Sequence, residues 1–385
     1  MTLLLKLISF LIPGYDIPFT WTKFKKILVV DLNYLGDMVQ SSVIYRDLKE
    51  RFPGASVEAL VLEEMITPLN VNPYVSRIHT VPSMSIKDGM KAAFRLRKEK
   101  YDLVIQLNTS LKINLLLYVA GKRYRLGYDY KHRGCFLNIR VPTDYRTNRM
   151  GSRVEEILRL TNTAFGDHAS SREMIFPANP TDLIELRYRL RQEYGVTKGD
   201  ILVGMHTVCR TTKEKRQWAR FTEVGMELLK NPRIKIILTG SREDREYVSQ
   251  IAYWLKGGSK VINLAGEISL RELPALLSDL ALFITINTGP MHIAIANHVP
   301  TYAIIGGSPA SVVFPKGDTR YRYIQDPALS YVDACSDMYD LHPDPDAGSW
   351  MSPDFKSCIS YITGFQVLQD VLPMIETYKN RAVNW

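Results

Sequence analysis

Ala281-Leu-Phe-Ile-Thr-Ile-Asn287-Thr288-Gly289-Pro290-Met291-His292-Ile-Ala-Ile-Ala296 is the stretch that decides the fold. An apolar, β-branched run ends in Asn-Thr-Gly-Pro and passes at once into a small-residue helical pattern. That is a strand, a tight turn and a helix N-terminus. Such a junction turns backbone N–H groups and the positive end of a helix dipole toward one spot. Gly289 permits close approach of a ligand to the backbone, and His292 falls in the first turn. The pattern suits the phosphates of a nucleotide. The plainer reading is an ordinary βα turn capped by Asn287 or Thr288.

Working outward, the same alternation recurs on both sides. Lys26–Asp31 is a short apolar run suited to a buried parallel strand, and a turn through Gly36 and Asp37 follows it. Val39, Val43, Ile44, Leu48 and Phe52 then form a broad apolar helical stripe, closed by Pro53-Gly54. Strand-like runs at Val57–Leu62, Ile78–Val81 and Leu103–Leu107 accompany helical patterns at Ile86–Lys98 and Leu111–Ala120. Val154–Leu160 is helical, and the polar, Pro-containing stretch Asp167–Asn179 reads as a connection. A charged helix, Thr181–Glu193, leads into a second half. That half restarts with strands at Ile201–His206, Ile234–Leu238, Val261–Leu264 and Thr301–Ile305 around the opening stretch, and with helices at Phe221–Leu229 and Asp244–Leu255. Ser269-Leu-Arg-Glu272 is a capping box that opens a further helix. Tyr323–Gly364 reads as irregular, and Phe365–Tyr378 as a final helix. The β–α alternation predicts α/β domains with doubly wound parallel sheets. Ligands of such sheets bind at the carboxyl ends of the strands.

Length and composition agree. At 385 residues the chain suits two domains, and 46% hydrophobic with 23% charged residues is globular. No apolar run reaches the ~20 residues needed to span a bilayer. The apolar start, Met1–Ile12, is stopped by Pro13-Gly14 and lacks a basic lead and a cleavage site, so it is not read as a signal peptide. It is expected to pack on the body, or else to lie on a membrane surface. Cys135, Cys209, Cys335 and Cys358 lie far apart without a Cys-x-x-Cys pair, which points to a reduced cytoplasmic chain with no zinc site.

The net charge of +9 is uneven: Lys122–Arg153 holds nine Lys or Arg against Asp129 and Asp144. It reads either as a solvated basic face or as a surface for an anionic glycolipid or membrane head groups. No zinc-finger, recognition-helix or stacking motif accompanies it, so nucleic acid is not expected.

Further constellations carry chemistry. Asp37, beside flexible Gly36, could serve as a general base on a hydroxyl; the alternative is a helix-start acid favoured by the dipole. Thr211, Thr212, Lys215 and Arg216 suit a pyrophosphate, or else form a solvated loop. Glu243 and Asp244, after Gly240, could hold ribose hydroxyls. Asp344-Pro-Asp346 reads as a loop rather than a metal site. No Ser-His-Asp order, Walker loop or His-Glu-x-x-His is present.

Together these pieces resemble glycosyltransferase family 9, the ADP-heptose:lipopolysaccharide heptosyltransferases. The resemblance runs from Lys26 to about Gly317 and rests on an ordered set: Leu35-Gly36-Asp37; Lys122-Arg-Tyr-Arg-Leu-Gly-Tyr128; Arg216-Gln-Trp218; Leu264-Ala-Gly-Glu-Ile-Ser-Leu-Arg-Glu-Leu273; Thr288-Gly-Pro-Met-His292; and a strand ending at Gly306. It implies a GT-B fold, two Rossmann-like doubly wound domains facing a central cleft. The expected division is an extension 1–25, an acceptor domain 26–178, a nucleotide-sugar domain 179–360, and a C-terminal helix in 361–385 packing back on the first domain.

The implied reaction is inverting, metal-independent transfer of a heptose or related sugar from a nucleotide diphosphate donor, ADP-linked, to an anionic glycan or glycolipid such as lipopolysaccharide core. No cofactor is implied, and a peripheral membrane contact is compatible with such an acceptor. By position, Asp37 matches the family's base, and Arg216 or Lys215 the residue that neutralises the leaving diphosphate. Asp244 or Glu243 matches the acid near the ribose. Thr288, Gly289 and His292 match the phosphate loop, while Lys122, Arg123 and Arg125 fall in the acceptor-facing domain. The family usually has Asp where this chain has Asn287, which shifts the expected donor away from, or beyond, ADP-heptose alone. Two other outcomes stay distinguishable. A nucleotide-sugar epimerase would release nucleotide without acceptor, and a non-catalytic member would bind donor without turnover.

Overall fold

The computed structural model describes residues 24–143, 152–208, 218, 220–306, 310, 314–315, 317–325, 359 and 362–380. The readings made for 1–23, Thr211, Thr212, Lys215, Arg216, Asp344 and Asp346 lie outside these residues. The chain divides into two compact units, Met1–Phe176 and Pro177–Trp385.

The first unit runs β1 (Lys26–Asp31), α1 (Leu35–Ser41), α2 (Val43–Arg51), β2 (Ser56–Leu62), α3 (Thr67–Asn70), β3 (Arg77–Val81), α4 (Ile86–Lys98), β4 (Leu103–Gln106), α5 (Leu111–Val119), β5 (Tyr124–Asp129), β6 (Ile139–Pro142) and α6 (Arg153–Phe165). Its six strands are all parallel, in the order β3-β2-β1-β4-β5-β6. The chain winds outward from β1 to β3, then crosses back to β4, so helices cover both faces and the central strands become apolar throughout.

Two features differ from the sequence reading. The helix after β1 is broken at Ser42. The Ser42 hydroxyl donates to the carbonyl of Val39 at 2.6 Å, and the Ser42 amide bonds Val39 at 3.3 Å. Hydroxyls that return to the preceding turn in this way compete with the helical ladder. Strands β5 and β6 lie within the stretch read only as basic. The alternation Tyr124, Leu126, Tyr128, all buried, is the strand signal there.

The second unit runs α7 (Pro180–Tyr194), β7 (Ile201–His206), α8 (Phe221–Leu228), β8 (Ile234–Thr239), α9 (Arg245–Leu255), β9 (Val261–Asn263), α10 (Leu273–Ser278), β10 (Leu282–Ile286), α11 (Gly289–Ala296), β11 (Thr301–Ile305), β12 (Tyr321–Gln325) and α12 (Gly364–Tyr378). The order β12-β11-β10-β7-β8-β9 repeats the first unit's topology, again all parallel. The Ser269–Glu272 box forms as read: the Ser269 amide meets Glu272 Oε2 at 2.8 Å, and the Glu272 amide meets Ser269 Oγ at 3.3 Å.

The final helix packs on the second unit, not on the first as the sequence suggested. Val367, Val371, Met374 and Ile375 join the second core. Gly364 sits so close to α8 that a Cβ there would meet Glu223 Oε2 at 2.7 Å. Trp218 Nε1 donates to Ile362 O at 2.8 Å, and Tyr302 OH to Asp370 Oδ2 at 3.2 Å. The apolar stripe of α12 is complementary to Trp218 and α8, and that complementarity sets its place.

Candidate functional site

In each unit the winding direction reverses between two adjacent central strands, β1 and β4 in the first, β7 and β10 in the second. The carboxyl ends of such a strand pair are the usual ligand position in this topology. Gly36 and Asp37 follow β1; Asn287, Thr288 and Gly289 follow β10. Gly36, Asp37, Asn287, Thr288 and Gly289 therefore stand at the two switch points for a topological reason.

At the first, β1 ends in Asp31, a buried carboxylate. Ser41 Oγ donates to one of its oxygens, and Asn33 Nδ2 to the other at 2.7 Å. Asp37 lies in the first turn of α1, and its surface stays partly open to solvent although protein surrounds it deeply. Burial lifts its pKa above the usual carboxylate value; Arg153 pulls it down, and Asp31 and Glu156 push it up. Asp31 is raised by burial too, against the pull of Ser41, Asn33 and Arg153.

Arg153 and Glu156 were absent from the sequence-predicted site. Arg153 Nη1 donates to Glu156 Oε2 at 3.0 Å, and Nη2 to Leu107 O, just beyond β4, at 2.6 Å. The latter bond brings the start of α6 to the switch point. The Arg-x-x-Glu spacing, one turn apart on a helix, was the available signal, but Arg153 read as one more cation of a basic stretch.

At the second switch point, α11 starts at Gly289 with extended Thr288 as N-cap, and no side chain caps its first turn. Thr288 Oγ1 instead donates back to Ile286 O at 3.3 Å. Neither Thr288 nor Asn287 therefore does the capping that the plainer reading required. The half-buried Asn287 makes no hydrogen bond among the described residues. His292 is buried in the first turn, which lowers its pKa to about 4. It is neutral at ordinary pH, and can offer a phosphate an N–H but no positive charge.

On the adjacent strand, His206 pairs with Thr285 and ends β7 with Nδ1 3.0 Å from Thr239 Oγ1 at the end of β8, and burial lowers its pKa to about 4 as well. Asp244 acts electrostatically on this histidine in the opposite direction, so the acid stands near the carboxyl ends of β7 and β8. The Asp244 carboxylate accepts from Ser241 N and Oγ at 2.9 and 2.6 Å, while Glu243 is exposed. Thr207, next along the chain, is fully buried, and its hydroxyl has no partner among the described residues.

Lys122, Arg123 and Arg125 do not join the first site. They lie around the start of β5, level with the start of β1, at the opposite edge of the sheet from Asp37. Lys122 and Arg125 are only 6% and 7% exposed. Lys122 Nζ donates to Glu99 O, and Arg125 to Phe136 O at 2.8 Å and to Lys122 O. Their charged heads close backbone carbonyls instead of facing an anion. Arg123 alone is exposed, stacked on Tyr124.

Comparison with known proteins adds a second line of observation. Residues 90–319 match the family model described as glycosyltransferase family 9 (heptosyltransferase). Lipopolysaccharide heptosyltransferase 3 of Escherichia coli is 25% identical over 285 residues, which cover 72% of this chain and 82% of that protein. A glycosyltransferase family 9 structure from Veillonella parvula superposes with a TM-score of 0.74 at 19% identity, over 92% of this chain and 98% of that one. The structure of ADP-heptose lipopolysaccharide heptosyltransferase II of Escherichia coli gives 0.69 at 21%, over 91% and 99%.

Proposed function

The chain belongs to glycosyltransferase family 9, with the GT-B fold and sugar-transferring activity of that family, and from this premise we propose the reaction that its two switch points serve. A heptose or a related sugar passes from an ADP-linked donor to a hydroxyl of an anionic glycan of the lipopolysaccharide-core type, with inversion at the anomeric carbon. The observation that carries the reading is Asp37. It is a carboxylate with a raised pKa, partly open to solvent, at the carboxyl end of the central strand. A general base must reach the acceptor hydroxyl and hold the proton it takes, and a raised pKa serves that.

In the proposed step the acceptor oxygen attacks the anomeric carbon as Asp37 takes its proton. The bond from that carbon to the diphosphate breaks, and ADP leaves with the electron pair. Lys215 and Arg216, with Thr211 and Thr212, would neutralise the diphosphate. The uncapped start of α11 at Thr288 and Gly289 supports the same role, since helix N-termini attract phosphate. Asp244, whose carboxylate is held by Ser241, would accept from the ribose hydroxyls, with exposed Glu243 beside it in the chain. Neutral His292 would donate one hydrogen bond. With those cations in place no divalent metal is required for charge balance.

The test is ADP release from ADP-heptose with and without a heptose-bearing core acceptor, with the product's anomeric configuration read by NMR. Acceptor-dependent release, an inverted product and survival of activity in excess chelator are expected. Release without acceptor, retention of configuration, or loss on chelation restored by magnesium would each overturn the corresponding part.

A further inference from the structure

We propose that the outer face of α4 and α5 is a docking surface for the anionic leaflet of a phospholipid bilayer. Both helices lie on one face of the first sheet, as crossovers from β3 to β4 and from β4 to β5. They pack closely, since a Cβ on Gly89 would meet Leu116 Cδ1 at 2.5 Å. The inner residues of α4 are Ala92, Ala93 and Leu96.

On its outer side Ile86, Met90 and Phe94 follow one another at four-residue spacing and so form one stripe. Ile86 is 68% and Phe94 56% exposed. The neighbouring helix exposes Leu115 at 42%; its Tyr118, 45% exposed, packs on Phe136 and Arg125 toward β5. Helix α5 is apolar nearly all round, Leu-Lys-Ile-Asn-Leu-Leu-Leu-Tyr-Val, yet buries only Ile113, Asn114 and Leu117. A helix of that composition ordinarily has a partner on each side.

The charges say which partner. Lys87, Lys91 and Lys98 are exposed and lie next to the apolar stripe, with Arg97 and Lys112 at its margins. Asp88 is the one acid in α4. Lysine is depleted from the cores of protein–protein interfaces. Lysines interleaved with Ile, Phe and Leu suit a helix lying in the head-group region, where the aliphatic stems follow the apolar side chains and the ammonium groups meet lipid phosphates. Among the described residues no helix is long and apolar enough to cross a membrane. The surface is separate from the residues assigned to sugar transfer, and docking stands whatever the acceptor proves to be.

The full chain is tested by flotation with vesicles of phosphatidylcholine containing phosphatidylglycerol, and with phosphatidylcholine alone. The wild type is expected on the anionic vesicles, less so as salt rises. Lys91→Gln with Lys98→Gln should lower partitioning roughly thirtyfold, at about 1 kcal/mol per cation. Phe94→Ser with Leu115→Ser should lower it about tenfold. Ile184→Ser with Tyr188→Ser, equally exposed apolar residues on α7, should leave it unchanged. All three pairs are surface changes and should melt near the wild type. Absence of wild-type binding to anionic vesicles, or wild-type binding by both the lysine and the Phe94/Leu115 variants, overturns the proposal. The second result, with binding lost instead on deletion of residues 1–23, would assign the contact to that segment.

Discussion

Arg153 and Glu156 form an ion pair of 3.0 Å, one turn apart at the start of α6, and both charges bear on Asp37 in opposite directions. The pair is nearly closed to solvent, with side chains 12% and 6% exposed. It therefore acts on the Asp37 carboxyl through charge, from a position nearly closed to solvent.

The pH dependence follows with a definite sign. In the role proposed above Asp37 would act only when ionised, so its raised pKa should place the acid limb of kcat/KM above the ordinary carboxylate range. Arg153→Gln removes the charge that lowers this pKa, and the limb should move to higher pH. Glu156→Gln removes a charge that raises it while the Arg153 charge that lowers it stays, so the limb should move to lower pH. Each variant should also lose about 3 kcal/mol of stability, the usual scale for breaking a buried pair. Opposite displacements in the two pH–rate profiles are the expected result; identical profiles would sever the link.

Asp37→Asn should keep donor affinity and lose about a hundredfold or more in turnover. Its stability should move the other way. A carboxyl whose pKa is higher in the folded than in the unfolded state favours folding while protonated, and weakens folding as pH rises through the native pKa. An amide has no such penalty. The variant should melt above the wild type at neutral pH, with the gap closing in mild acid. Near-normal turnover would remove Asp37 from the reaction.

Asn287 is half-buried beside the uncapped start of α11 and unengaged by the described protein. Its amide offers one acceptor oxygen and one NH₂ donor, where an aspartate offers two acceptor oxygens and a charge. A mismatched polar group in a closed site costs about 1–3 kcal/mol, enough for a tenfold change in preference. Asn287→Asp should therefore alter the ratio of kcat/KM for ADP-heptose to that for other nucleotide sugars. Equal ratios in wild type and variant would show that this side chain does not read the donor.

Arg125→Ala tests the division between structural and functional cations. The loss of its bonds to Phe136 O and Lys122 O should destabilise the first unit by about 2–3 kcal/mol, as buried carbonyls lose their donors. Acceptor KM, measured well below the lowered melting temperature, should be unchanged. A raised KM with normal melting would return Arg125 to the acceptor site.

The primary sequence by itself determined what depends on local pattern. Buried parallel strands must be apolar on both faces, so Lys26–Asp31 and Leu282–Ile286 were legible as runs, and Ile86–Lys98 as a helix to its last residue. Turn chemistry after those strands marked Asp37 and the Asn287–Gly289 junction. Tertiary structure decided what depends on which distant segments meet. Parallel pairing put Lys122 and Arg125 at the amino edge of the sheet and Asp37 at the carboxyl edge, and a positive charge carries no sign of which edge it will occupy. Their burial rests on carbonyls of Glu99 and Phe136, which only folding brings within reach. Arg153 reached Asp37 because its guanidinium bonds Leu107 at the end of β4, a contact between residues 46 apart in the chain. The apolar stripe of α12 was plain in the sequence, but an apolar stripe specifies burial and not a partner. The fit of Val367, Val371 and Met374 into the core around Trp218 chose the second unit.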